Sequence, residues 1–193
     1  MAILMELFPV PLHSEELSLD LPKMEEYVYG LKKRNSTADK SNRGGWQSED
    51  LIGEHPPLND LREAILKHGE VYRKIIGYNP SIKIQNMWAN INGYKDSNNQ
   101  HTHPNSIISG CFYIKVREQE FVDGLVEFMH PSVYTMSSEW ESNLFSPNQF
   151  NGVQMDLKPT LNQIIFFPSW LVHSVSPNLS IDEDRISIAF NLG

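Results

Sequence analysis

Cysteine is nearly absent: Cys111 is the one thiol in a chain of 193 residues. That excludes an internal disulfide and every cysteine-rich metal site, and it suits a reducing compartment. Positive charge is scarce as well. Sixteen Lys and Arg face twenty-four Asp and Glu, for a formal net charge of −8. No basic block is longer than Lys32-Lys33-Arg34, so a phosphate backbone is not an expected partner. Long apolar runs are missing too, since none approaches the roughly eighteen residues of a membrane span. The opening stretch MAILMELFPVPL is apolar but broken by Glu6 and Pro9. It has no basic residues before it and no small-residue cleavage site after it, and reads as a first strand rather than a leader. Internal repeats and low-complexity segments are absent. These absences predict a soluble, cytoplasmic protein.

What is present is enough chain for one domain, which at this length buries roughly 70% of its unfolded surface without staples. A single unit over 1–193 is expected, with a helical part over about 1–78 and a β-rich part over about 79–193. DLPKMEEYVYGLKKR has Asp20 to cap, Pro22 in the first turn and basic residues last, which predicts a helix over 21–34. Residues 35–57 are rich in Ser, Asn, Gly and Pro and read as a long loop, with Trp46 as anchor and the character of a lid. Leu58, Leu61, Ile65, Leu66, Val71 and Ile75 fall near helical spacing. They predict a second helix over 58–76, capped by Asn59 or Asp60 and stopped at Gly77. From residue 80 the texture changes to short β-like runs: SIKIQNMWANI, SIISGCFYIKV, GLVEFMH, NGVQMDL, QIIFFP, WLVHSV and RISIAFNL. They follow one another too closely for helices to intervene, so an antiparallel sandwich or barrel is expected. Residues 131–150 read as an insertion.

Seven histidines are present, and two of them sit together in NNQHTHPNS. On an extended strand His101 and His103 project to one side about 7 Å apart, and neutral imidazole binds iron, zinc, copper or nickel. A third ligand is offered by His173 in FFPSWLVHSV, where alternation places it on the side of Leu171 and Val175. A lone histidine on an apolar face is commonly a core residue; the pairing with HxH in one β-region favours a metal set of His101, His103 and His173, with His13, His55, His68 and His130 outside it. In RISIAFNL, Arg185, Ser187, Ala189 and Asn191 form a polar face opposite Ile186, Ile188, Phe190 and Leu192. Either that face meets water, or Arg185 lies inside a barrel mouth and grips a carboxylate with two parallel bonds, joined by Ser187. The turn-rich connection SPNLSIDED suggests that the strands of His173 and Arg185 pair as a hairpin.

An HxH near a strand end, a histidine some seventy residues later and an R-x-S about a dozen beyond it resemble the iron(II)/2-oxoglutarate-dependent oxygenases. WANINGYKDSNNQHTHPNSIISGCFYI, IIFFPSWLVHSVSPN and RISIAFN are similar to a bacterial and phage branch of that superfamily with an H-x-H-P signature. The likeness covers about residues 84–192, with NRGGWQS at 42–48 of the same flavour. It implies a jelly-roll double-stranded β-helix, mainly β with flanking helices, and a dioxygenase that uses iron(II) with 2-oxoglutarate as co-substrate. His101 takes the place of the first ligand, His103 that of the usual aspartate, and His173 that of the distal histidine. Arg185 and Ser187 would hold the far carboxylate of 2-oxoglutarate. Asn90 and Tyr113 stand where related enzymes place polar groups that touch the co-substrate, although Tyr113 could equally be a core aromatic and Asn90 a turn residue.

Where the common iron site has two histidines and a carboxylate, this chain has His103. Three neutral ligands leave the dication uncompensated. Asn105, or a carboxylate such as Glu127 or Asp123, could supply a different third ligand; the three-histidine set is preferred. The competing reading is a cupin-type three-histidine metal protein or small-molecule dioxygenase without 2-oxoglutarate, against which stands PNSIIS, where cupins carry a glutamate. The substrate would be a small molecule or peptide. No membrane and no nucleic acid are expected as partners, and an N-terminal edge strand would allow a homodimer.

Overall fold

The structure is a computed structural model that describes residues 3, 5–38, 40–117, 123–132 and 148–193. Two antiparallel sheets face each other. The larger has six strands in the order β1(His13–Glu16), β9(Gln163–Pro168), β6(Ile108–Lys115), β11(Arg185–Leu192), β4(Ile84–Asn92), β3(Trp46–Gln47). The smaller has five: β2(Asn42–Arg43), β5(Ser97–His101), β10(His173–Val175), β7(Val126–Met129), β8(Gln154–Leu157). This is the expected jelly-roll, mainly β with flanking helices, and most of the 131–150 stretch lies outside the described residues.

Alternation on the larger sheet gives it two different faces. Ile186, Ile188, Phe190 and Leu192 of β11 join Met87, Ala89 and Ile91 of β4 and Phe166 of β9 in one buried cluster, covered by α1(Leu21–Arg34) and α2(Asn59–Ile75). The opposite face looks into the barrel. There Tyr113, Ile165 and Phe167 pack with Val126 and Phe128 of the smaller sheet.

Both helices lie where the sequence places them. Asp20 caps α1 by accepting from Lys23 N at 3.2 Å, and Lys115 of β6 pairs with Glu25 at 2.7 Å. No side chain caps α2, contrary to the reading of Asn59 or Asp60; a 3-10 turn at Pro56–Leu58 runs into it instead, and Gly77 ends it at φ +70°. Gly69 lets α2 lie close on the sheet, because a Cβ there would meet Leu192 Cδ1 at 2.7 Å.

Three expectations are corrected. Among the described residues the first strand is His13–Glu16, and residues 5–12 form none: Pro9 and Pro11 have no N–H to give a ladder, and Met5, Leu7 and Phe8 are exposed. The 35–57 segment is stitched rather than looped, through β2 to β5 and β3 to β4, with Trp46 buried and its Nε1 donating to Asn35 O at 3.1 Å. β10 and β11 are not a hairpin, because the chain crosses from the smaller sheet to the larger between them. Asn178 holds this crossing by donating through Nδ2 to Asn92 O and Glu183 O, each at 2.9 Å.

Candidate active site

The smaller sheet brings two of the histidines into direct register. His173 of β10 stands opposite His101 of β5. His103 lies just past the end of β5, where Pro104 stops the strand, and is held by its backbone N donating to Ser169 O at 2.9 Å. Ring centroids are 4.3 Å apart for His101 and His173, 4.9 Å for His101 and His103, and 5.2 Å for His103 and His173. One ligand nitrogen from each can be chosen so that all three lie within 4.8 Å of one another.

For His101 and His173 the ring protons are fixed by the backbone. Nδ1 of His173 sits 2.9 Å from Leu171 O, and Nδ1 of His101 sits 2.7 Å from Asn99 O. A carbonyl only accepts, so both Nδ1 atoms carry hydrogen and both Nε2 atoms present lone pairs. Burial, reinforced by the neighbouring imidazoles, pushes His173 down to about 3 and His103 to about 4, and burial lowers His101 as well. At neutral pH the three rings are therefore uncharged donors. Their surroundings are aromatic: Phe167 lies 4.8 Å and Phe128 6.3 Å from the His173 ring, and Trp88 lies 5.8 Å from His103.

The other suggested ligands point elsewhere. Glu127 is in register with Ser174, on the face opposite His173, and accepts from Ser174 Oγ at 2.7 Å. Asp123 pairs with Arg117 at 3.5 Å and accepts from Leu179 N at 3.0 Å, and Asn105 is exposed.

A second group is laid out as a row across the larger sheet. Asn90 of β4, Ser187 of β11 and Tyr113 of β6 are consecutive partners in register, and Arg185 is two residues before Ser187 on the same face. All four are buried. The Arg185 guanidinium lies over the Tyr113 ring, 5.2 Å from its centroid. Arg185 Nε, the Tyr113 hydroxyl and Asn90 Oδ1 are buried without a hydrogen-bond partner, and among the described residues no carboxylate pairs with Arg185. Unpaired buried polar atoms are costly, by about 1–3 kcal/mol each, so such a cluster fits a site that expects a polar guest. The two groups are linked by β4: Trp88, against His103, and Asn90, in the row, face the same way about 7 Å apart.

Sequence reasoning missed the aromatic wall of Trp88, Phe128 and Phe167, which their apolar strands gave no reason to separate from ordinary core. It also missed Gly124, at φ +60°, where a Cβ would stand 3.2 Å from Arg185 Cδ.

Residues 86–191 match the family model of the 2OG-Fe(II) oxygenases. No curated protein sequence matches significantly. Among solved structures, the chain is similar to a prolyl-4-hydroxylase from Pseudomonas putida: TM-score 0.64, 12% identity, covering 94% of this chain and 92% of that one. A viral collagen prolyl hydroxylase from Paramecium bursaria Chlorella virus-1, in complex with 2OG, gives TM-score 0.63, 14% identity and 94% coverage of both chains. HygX from Streptomyces hygroscopicus, with nickel and 2-oxoglutarate bound, gives TM-score 0.63 and 12% identity over 95% of this chain and 83% of that one. At such identities the likeness establishes the fold.

Proposed function

The chain belongs to the 2OG-Fe(II) oxygenase family, and from that premise we propose that His101, His103 and His173 hold the iron while Arg185, Ser187, Tyr113 and Asn90 hold 2-oxoglutarate. The observation that carries the reading is the buried Arg185 in its polar row, its Nε without a hydrogen-bond partner and no carboxylate paired with it among the described residues, on the same inner face as the residue that packs on His103. A planar guanidinium gives a carboxylate two parallel bonds, and the Tyr113 and Ser187 hydroxyls stand beside it to donate.

When bound, iron with 2-oxoglutarate and dioxygen supplies the oxidation: one oxygen atom leaves in succinate, carbon dioxide is released, and the other is added at a substrate C–H bond. The protein's own groups bind, orient and exclude water. The imidazoles arrive neutral and oriented, so metal binding displaces few protons. Burial raises Tyr113 well above the ordinary phenol value, which keeps its hydroxyl a donor. Trp88, Phe128 and Phe167 form a dry wall beside the histidines. With three uncharged ligands, the protein supplies no negative charge to the metal; the dianionic co-substrate supplies it, which couples retention of the metal to 2-oxoglutarate.

The substrate is a small molecule or a peptide presented at the open end of the barrel, in a reducing, cytoplasmic setting that suits the free thiol of Cys111. No helix among the described residues is long and apolar enough to cross a membrane. The test is succinate formation from 2-oxoglutarate with iron(II) and oxygen. Wild type is expected to produce it, slowly without a substrate, and His173→Ala to produce none; equal production by both would contradict the ligand assignment.

A further inference from the structure

A second group of donor atoms lies on the other side of the larger sheet and has no part in the oxygenase reading. His13 and Glu15, two apart on edge strand β1, project to the side of α2, and His68 reaches toward them from that helix. One ligand atom from each can be chosen so that all lie within 4.8 Å of one another. The rings of His13 and His68 stack with centroids 6.2 Å apart, and His13 also packs against Tyr72 and Phe166, at 6.5 and 5.9 Å.

Two observations single this group out. His13 Nε2 is buried without a hydrogen-bond partner, although imidazole nitrogens in such places are normally satisfied. The nearest charged atom, Glu15 Oε1, is 3.8 Å away. That is too long for a hydrogen bond and close to the roughly 3.4 Å edge of a tetrahedron built on metal bonds of about 2.0–2.2 Å. The site is also separate from the barrel centre: His13 touches Phe166, whereas His173 touches Phe167, and neighbouring strand residues face opposite ways.

We propose that His13, Glu15 and His68 form a second metal site that takes zinc and clamps edge strand β1 to α2. Two imidazoles and one carboxylate, with water completing a tetrahedron, suit zinc; calcium and magnesium ask for oxygen ligands throughout, and copper(I) for sulfur. The clamp lies where other ties already meet: Tyr72 Oη donates to Pro11 O at 2.7 Å, and β1 ladders onto β9. Metal here would fasten the free edge of the larger sheet without touching the barrel interior.

Zinc titration of the metal-stripped full chain, followed by equilibrium metal analysis and thermal melting, tests the proposal. Wild type should bind two equivalents, His68→Ala one, His173→Ala one, and the double variant none. Glu15→Gln, an isosteric change at an exposed position, should weaken one equivalent by at least about ten-fold, the lower range for loss of even an outer partner, and serves if His68→Ala disturbs α2. The melting temperature of His173→Ala should rise with zinc, and that of the double variant should not. Equal zinc uptake by wild type and His68→Ala, together with undiminished affinity in Glu15→Gln, would overturn the site.

Discussion

Two groups of polar residues face the barrel interior, and each has a different reason to be there. The histidines are held neutral by burial, and this has a consequence for the metal-free protein. His173 and His103 are lowered to about 3 and about 4 in the fold, whereas an unfolded imidazole titrates near 6.5. Below about pH 6.5 the unfolded chain therefore binds protons that the folded chain does not, and stability is lost progressively as pH falls toward 4. Denaturation of the metal-free protein at pH 7 and pH 5 should show the lower midpoint at pH 5, with the difference narrowed by His173→Ala. A midpoint that does not move would contradict the neutral cluster. His101 and His103 stood out in the sequence as a pair two apart in a polar stretch, and His173 and Arg185 as polar residues in strand-like runs with an apolar side. Asn90 and Tyr113 drew their roles from the family resemblance, and the register row explains why they belong with Ser187. His13, Glu15 and His68 were not legible as a group, because the strand was expected too early and the third member lies on a helix.

The elements owe their positions to alternation and to close approach. RISIAFNL was readable as a two-faced strand, and β11 divides its residues between helix side and barrel side as the alternation predicts. The pairing of β10 was not readable, since a turn-rich connection can close a hairpin or cross between sheets, and only packing decides. Gly110 shows how tightly the central strands meet. It stands in register between Phe190 of β11 and Phe166 of β9, and a Cβ on it would lie 2.3 Å from Phe190 Cζ and 2.4 Å from Ile165 O. A side-chain tip can yield, but a ladder carbonyl cannot do so without breaking its register. Gly110→Ala should therefore destabilise the fold by about 1–3 kcal/mol, the usual range for overpacking. Urea denaturation measures this, and an unchanged midpoint would show that the sheet has slack here.

At the scale of the molecule, one sheet does two jobs. Its helix-covered face carries the larger core, and its inner face carries a polar row in a chain whose overall charge of −8 would otherwise repel an anion. The general architecture followed from short strands after two helices; which end of the barrel holds the chemistry did not, because it depends on contacts between strands far apart in sequence. The central claim is that Arg185 is buried in order to receive a dicarboxylate. The most direct measurement is calorimetric titration of the metal-loaded, oxygen-free protein with 2-oxoglutarate. Wild type should bind one equivalent; Arg185→Ala should keep its metal and lose at least about 2 kcal/mol of binding, some thirty-fold or more; and Arg185→Lys should recover only part of it, as a point charge cannot reproduce the fork. A wild type indifferent to 2-oxoglutarate, or an Arg185→Ala variant that binds it equally well, would contradict the account.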